Sequence, residues 1–123
     1  MSEKDKREMQ IEDMIFDLLI SMGIAPTLKG FRLLQYCIKE SVYGRNAPTT
    51  MLMYHDLADK LYVSWESIER AMRSVIKKAI ETVGTDGITE RIGQAPCGRG
   101  RIEPYGFVQI CARKIRRCAD DLQ

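Results

Sequence analysis

The sequence predicts an all-α domain, and three observations carry that prediction. Apolar residues recur at i, i+3, i+4 and i+7 over most of the 123-residue chain. Glycine and proline clusters punctuate the periodic stretches, and no stretch makes a convincing β-strand. The stretch around which the rest is organised is 54–83, YHDLADKLYVSWESIERAMRSVIKKAIETV. It reads as a short helix, a tight turn and a long helix over 64–83 with one polar face.

In the long helix Ile68, Ala71, Met72, Val75, Ile76, Ala79, Ile80 and Val83 form a single apolar stripe that must face a core. The opposite side carries Glu66, Glu69, Arg70, Arg73, Lys77 and Lys78. Ser64 suits the N-cap, because its hydroxyl accepts a free backbone N–H of the first turn. Val63 and Ile68 sit where a hydrophobic staple fixes the entry of the chain. In the short helix, Leu57, Ala58 and Leu61 are expected on the inner face. An apolar residue followed by a small one, Leu57-Ala58, lets a second helix cross closely, as in a helix-turn-helix. One position departs from that pattern. The turn calls for Gly or Asn at positive φ, and Tyr62 stands there, which is costly in that conformation and points to a variant turn. The alternative is an ordinary helical hairpin.

From the N-terminus, residues 1–10 read as a charged tail and 11–123 as one domain, although helical periodicity starts near Lys6 and runs to Met22. Ile11, Met14, Ile15, Leu18, Leu19 and Met22 line one side of it, with Gly23 as its terminator. Residues 24–30 form a connector. A second helix over 30–43 turns Phe31, Leu34, Cys37, Ile38 and Val42 inward. Gly44-Arg45-Asn46-Ala47-Pro48 is a loop. After Val83, Gly84-Thr85-Asp86-Gly87 breaks the long helix, and 88–92 has room for one or two helical turns. Residues 93–104 form a Gly- and Arg-rich loop, and a last helix over 105–119 has Phe107, Val108, Cys111, Ile115 and Cys118 on one side.

The composition excludes several classes. One domain fits the length, no run approaches a membrane span, and MSEKDKREMQ lacks the apolar core of a signal peptide, so a cytosolic location is expected. The net charge is +2, with a net −3 over the first 20 residues, a modest basic bias elsewhere rather than the signature of a nucleic-acid coat. Cys37, Cys97, Cys111 and Cys118 form no C-x-x-C pair, and the lone His55 is distant from them, so no metal or cofactor is expected. Buried thiols in a reducing compartment fit them best. Cys97, in the Gly/Arg loop, is the one expected to be more reactive, and His55 reads as a surface residue. No nucleophile–base pair or phosphate-binding loop is visible, and Gly98-Arg99-Gly100-Arg101 is too short to cradle a phosphate. An enzyme is not expected.

The order of features resembles the C-terminal DNA-binding effector domain of the sporulation initiation response regulator of endospore-forming bacteria. Residues 23–31 match that family's connector and end in its Lys29-Gly30-aromatic signature. Val42-Tyr43 matches the end of its second helix. Tyr54, Asp56, Leu57 and Ala58 match its Leu-Tyr-Pro-Asp-Ile-Ala helix start, and Ile68-Glu69-Arg70-Ala71-Met72-Arg73 matches its recognition core Val-Glu-Arg-Ala-Ile-Arg. The resemblance spans residues 11–118. It implies a six-helix domain with a flexible Gly/Arg loop before the last helix. It also implies that 64–83 enters the major groove of double-stranded DNA, with Glu69, Arg70 and Arg73 facing the bases and Glu66 and Ser67 beside them. Ser64, Ser74, Lys77, Lys78, Arg99 and Arg101 are the candidates for backbone contacts.

The last helix of that family takes part in head-to-tail pairing on tandem sites. That makes a homodimer an expected partnership, with Phe107, Cys111, Lys114, Ile115 and Cys118 as interface candidates. RNA polymerase or a full-length sporulation regulator are further expected partners. The chain departs from the family pattern at Ser67, Trp65 and Ser74 on the recognition helix and in the positions of Pro26 and His55. Trp65 is expected to contact DNA or to pack against the turn. A receiver domain with its own parallel sheet needs about this many residues again, so the chain reads as an excised effector or, given its initiating Met, a free-standing relative. The competing reading is a protein-interaction module of the same fold that modulates a full-length regulator without reading DNA.

Overall fold

The computed structural model describes residues 2–44, 50–94 and 102–121. Among them lie five α-helices and no strand: α1 Glu3–Ser21, α2 Lys29–Val42, α3 Thr50–Leu61, α4 Trp65–Ile92 and α5 Pro104–Asp120. Helix α2 is the hub and packs against α1, α4 and α5, while α3 lies on α4 and α5 also meets α1 and α4. The apolar stripes read from the sequence converge there. Ile11, Ile15 and Leu19 of α1, Phe31, Leu34 and Ile38 of α2, Ile68, Met72, Val75 and Ile76 of α4, and Phe107, Val108 and Ile115 of α5 are all buried in one core. Burying a large aliphatic side chain contributes about 1.5–3 kcal/mol.

Helix α1 starts at Glu3, so most of the segment read as a charged tail is helical. Its start is well specified: Ser2 Oγ accepts the Asp5 N–H at 3.1 Å, and Glu3 and Asp5 occupy the first turn, where the helix dipole favours acids. Farther along, Lys39 of α2 bridges Glu8 at 2.8 Å and Glu12. Hydrogen bonds to Glu12 and then Glu8 hold the Lys39 ammonium above its usual pKa, and the bond from Lys39 holds Glu8 below its own. Both shifts favour the ion-paired form. Polar fasteners close the other junctions. Ser41 Oγ donates to Gln109 Oε1 at 3.1 Å, and Arg116 Nη1 donates to the Ser41 carbonyl at 2.8 Å, tying α2 to α5.

The break expected after Val83 is present: Gly84 leaves the helical region, at φ 76° and ψ 166°, and the two helical stretches of α4 meet there at a kink, so the segment after it is a bent arm. Arg91 in this arm donates through Nε to the Ser21 carbonyl at 2.8 Å, satisfying an open carbonyl at the end of α1. Of the Gly/Arg loop expected over 93–104, residues 95–101, with Cys97, lie outside the described residues. Helix α3 starts earlier than the sequence pattern placed it and buries Met53, Tyr54 and Leu57. Leu61, expected inward, is 46% exposed.

Two backbone positions set the geometry of the helix pair. Gly30, at the start of α2, lies so close to α4 that a Cβ there would meet the Ala71 carbonyl oxygen at 2.4 Å and Val75 Cγ1 at 2.7 Å. Only glycine permits that approach. In the turn, Tyr62 adopts φ 56°, so the left-handed geometry is kept despite the side chain. Its ring is 94% exposed and meets no crowding that would force another conformation.

These two positions give opposite expectations. Gly30→Ala should destabilise the fold by about 1–3 kcal/mol, since the methyl must push α2 off the α4 backbone. Tyr62→Gly should raise stability by about 0.5–1 kcal/mol, because it relieves left-handed strain and gives up almost no buried surface. Urea denaturation followed by circular dichroism measures both.

Candidate nucleic-acid interface

The first half of α4 is anchored from both ends of its turn. The Ser67 backbone N–H donates to Ser64 Oγ at 3.2 Å, so Ser64 is the N-cap that its chemistry suggested. Lys29, from the start of α2, donates through Nζ to Ser67 Oγ at 3.3 Å. Trp65 lies half-buried and near-parallel to Tyr54, with ring centroids 6.4 Å apart. His55 flanks the indole at 6.2 Å. The Trp65 ring thus braces α4 on α3.

The buried underside of α4 leaves one outward ridge. Glu66, Arg70, Ser74, Lys77 and Lys78 are exposed, and Ser67, Glu69 and Arg73 are intermediate. The three residues expected to face bases are not equivalent. Arg70 points to solvent, and no ion pair involves it among the described residues. Arg73 is held on both sides: Nε donates to Glu69 Oε1 at 2.6 Å, four residues back, and Nη2 donates to Glu103 Oε2 at 2.6 Å. Hydrogen bonding to Glu69 and then Glu103 keeps the guanidinium firmly charged, above its ordinary pKa. Glu103 is the N-cap residue of α5, so this cluster ties the outward ridge of α4 to the last helix.

Beneath the cluster, the Tyr54 hydroxyl is buried and has no hydrogen-bond partner among the described residues. Burial, followed by the nearby Glu69 charge and opposed by Arg73, pushes its pKa up to about 12. It therefore stays a neutral phenol.

The expected pairing surface on α5 needs correction. Phe107, Cys111 and Ile115 are buried in the core of their own chain, and a side chain spent closing the core is not offered to a second copy. Lys114 and Cys118 lie at the edge of that face and are partly accessible. Burial pushes the Cys37 thiol up to about 12 and raises Cys111 as well, which makes both poor nucleophiles. Arg99 and Arg101 lie outside the described residues. Among the described residues no cluster of His, Cys, Asp and Glu has a metal-holding arrangement, and no helix is long and apolar enough to cross a membrane.

Sequence reasoning missed three contributors to this surface. Lys29 was read only as part of a connector, although its place beside Gly30, which demands close helix approach, was a usable signal. Tyr62 was read as a misfit in the turn rather than as an exposed aromatic held beside the ridge. Glu103 gave no signal, because its partner Arg73 is 30 residues away and the contact exists only once α5 docks.

Comparison with known proteins adds one finding. The family model described as sporulation initiation factor Spo0A C terminal matches residues 15–115, from within α1 to within α5. Neither the curated proteins nor the solved structures gave a significant match. With most of the chain matched, the protein belongs to the family of the sporulation initiation factor Spo0A C-terminal domain, a family of DNA-binding transcription-regulatory domains rather than enzymes.

Proposed function

We propose that this domain reads a specific sequence in duplex DNA by laying the first half of α4 in the major groove, as a cytoplasmic transcription regulator. The observation that carries the reading is the outward ridge of α4, whose apolar underside is packed on the core. A helix so clamped presents its polar side as a rigid probe of the width the major groove accepts. Arg70 is placed to donate bidentately to guanine, and Glu66 and Glu69 to accept from cytosine, with Ser67 beside them. Arg73 takes part after exchanging one of its carboxylates for DNA. Ser64, Ser74, Lys77, Lys78, Arg99 and Arg101 serve the phosphates. Pairing of copies on tandem sites, if it uses α5, rests on Lys114 and Cys118 at its accessible edge.

A second reading is favoured by one observation. Arg73 is already paired with Glu69 and Glu103, as expected of a polar face that supports structure. In that reading the domain binds a full-length regulator and leaves DNA alone. Co-purification with such a regulator, without retention on duplex DNA, would select it.

Binding-site selection from random duplexes at low salt should enrich one motif, and an unenriched pool would end the DNA-reading proposal. On the selected site, Arg70→Ala should cost about 1–3 kcal/mol and relax preference at one base pair. Lys77→Ala should instead weaken binding to all sequences alike and lower the slope of log affinity against log salt by about 1. Glu103→Gln removes a negative charge from the edge of the ridge and frees one side of Arg73, so duplex affinity should rise about two- to tenfold at low salt. Fluorescence anisotropy across a salt series measures all three.

A further inference from the structure

The outer seam between α2 and α3 contains a groove of about 450 Å³, and of its lining only Lys29 also touches the α4 ridge. Its floor is Leu33 and Leu57, both buried, and its walls include Tyr36 and Leu61, which are large apolar side chains left accessible. Lys29, Arg32 and Lys60 stand around it, and no acidic side chain lines it. One wall is braced: the Lys60 ammonium donates to the Tyr36 hydroxyl and lies 5.1 Å from the centre of that ring. The bond to Tyr36, and after it the charges of Glu40 and Asp56 from outside the groove, hold Lys60 in its cationic form, and Arg32 has no ion pair among the described residues.

We propose that this groove docks an acidic amphipathic helix of a protein partner, which inserts aliphatic or aromatic side chains between Tyr36 and Leu61 and sets its carboxylates against Lys29, Arg32 and Lys60. The size and apolar lining are those of a site that buries side chains, and a trough between two helices accepts a third through anchors at i, i+3, i+4 and i+7. Charge complementarity selects an acidic occupant. DNA uses such a place poorly, because phosphate gains nothing from an aliphatic floor. A second copy is also less suited. The outer side of its α1 does carry Met9, Phe16 and Ile20 among acids, but Phe16 is already packed edge-on against Phe31 at 5.4 Å. A groove-to-α1 contact would also be heterologous and prone to open-ended growth.

The test uses the whole chain and a fluorescein-labelled synthetic helix with leucines at i, i+3, i+4 and i+7 flanked by glutamates, beside a twin with lysine for every glutamate. Binding of the acidic peptide should be tighter than that of its twin by roughly tenfold or more. Leu61→Gln and Arg32→Gln should each weaken it by roughly tenfold, with the helical circular dichroism and the affinity for duplex DNA kept. The proposal is overturned if neither peptide binds, if both bind alike, or if the two variants bind as the parent does. It is equally overturned if duplex DNA displaces the peptide and Leu61→Gln weakens DNA binding in step, which would make the groove a DNA contact. Self-association of the parent that Leu61→Gln abolishes would assign the groove to a second copy instead.

Discussion

The close approach of α2 to α4 at Gly30 is the constraint on which the rest of the molecule depends. With no side chain at that point, the α2 backbone rests against the Ala71 carbonyl and the Val75 methyls. Lys29, one residue earlier, then reaches Ser67 in the first turn of α4. The same approach puts Phe31 and Leu34 beside Met72 and Val75 in one core. Helix α4 gains its rigidity here, from packing along its underside, since isolated helical propensity alone is marginal.

Polar chemistry on the ridge divides by what each side chain finds nearby. Arg70 extends into solvent, while Arg73 finds a carboxylate one helical turn back and another at the N-cap of α5. Exposed ion pairs are usually worth little, but here the two bonds share one half-buried guanidinium, which fixes its direction. The cluster thus couples the geometry of the ridge to the seating of α5. Trp65 serves the same end from beneath: its indole stacks on Tyr54 and holds the first turn of α4 to α3. The turn itself keeps its left-handed residue even though that residue is a tyrosine, so the spatial relation of α3 to α4 outweighs the local cost.

Periodicity identified the buried stripes of α1, α2, α4 and α5 almost residue by residue, because a helix that packs on one side must repeat its apolar residues near every 3.6 positions. The ridge on α4 was legible for the same reason. Failures came where a contact joins residues far apart in sequence. The apolar side of α5 was read as a pairing surface, yet a stripe of that kind says only that something must cover it. For Phe107, Cys111 and Ile115 the cover is the chain's own α1, α2 and α4. Leu61 failed in the opposite sense: its spacing placed it inside, but the α3 helix ends there and leaves it at the mouth of a groove.

By itself, then, the sequence determined the helical class, the run of buried faces, the capped start of α4 and the identity of the charges on its outer side, since all of these follow from local chemistry and short repeats. Tertiary structure alone decided which charges are spent internally, which leucine is left at the surface and which face of α5 is already covered. Those outcomes depend on distances between helices that are separated by tens of residues along the chain. The Arg73–Glu103 bond and the Lys29–Ser67 bond come into being only when α2, α4 and α5 are brought together, and no local pattern encodes them.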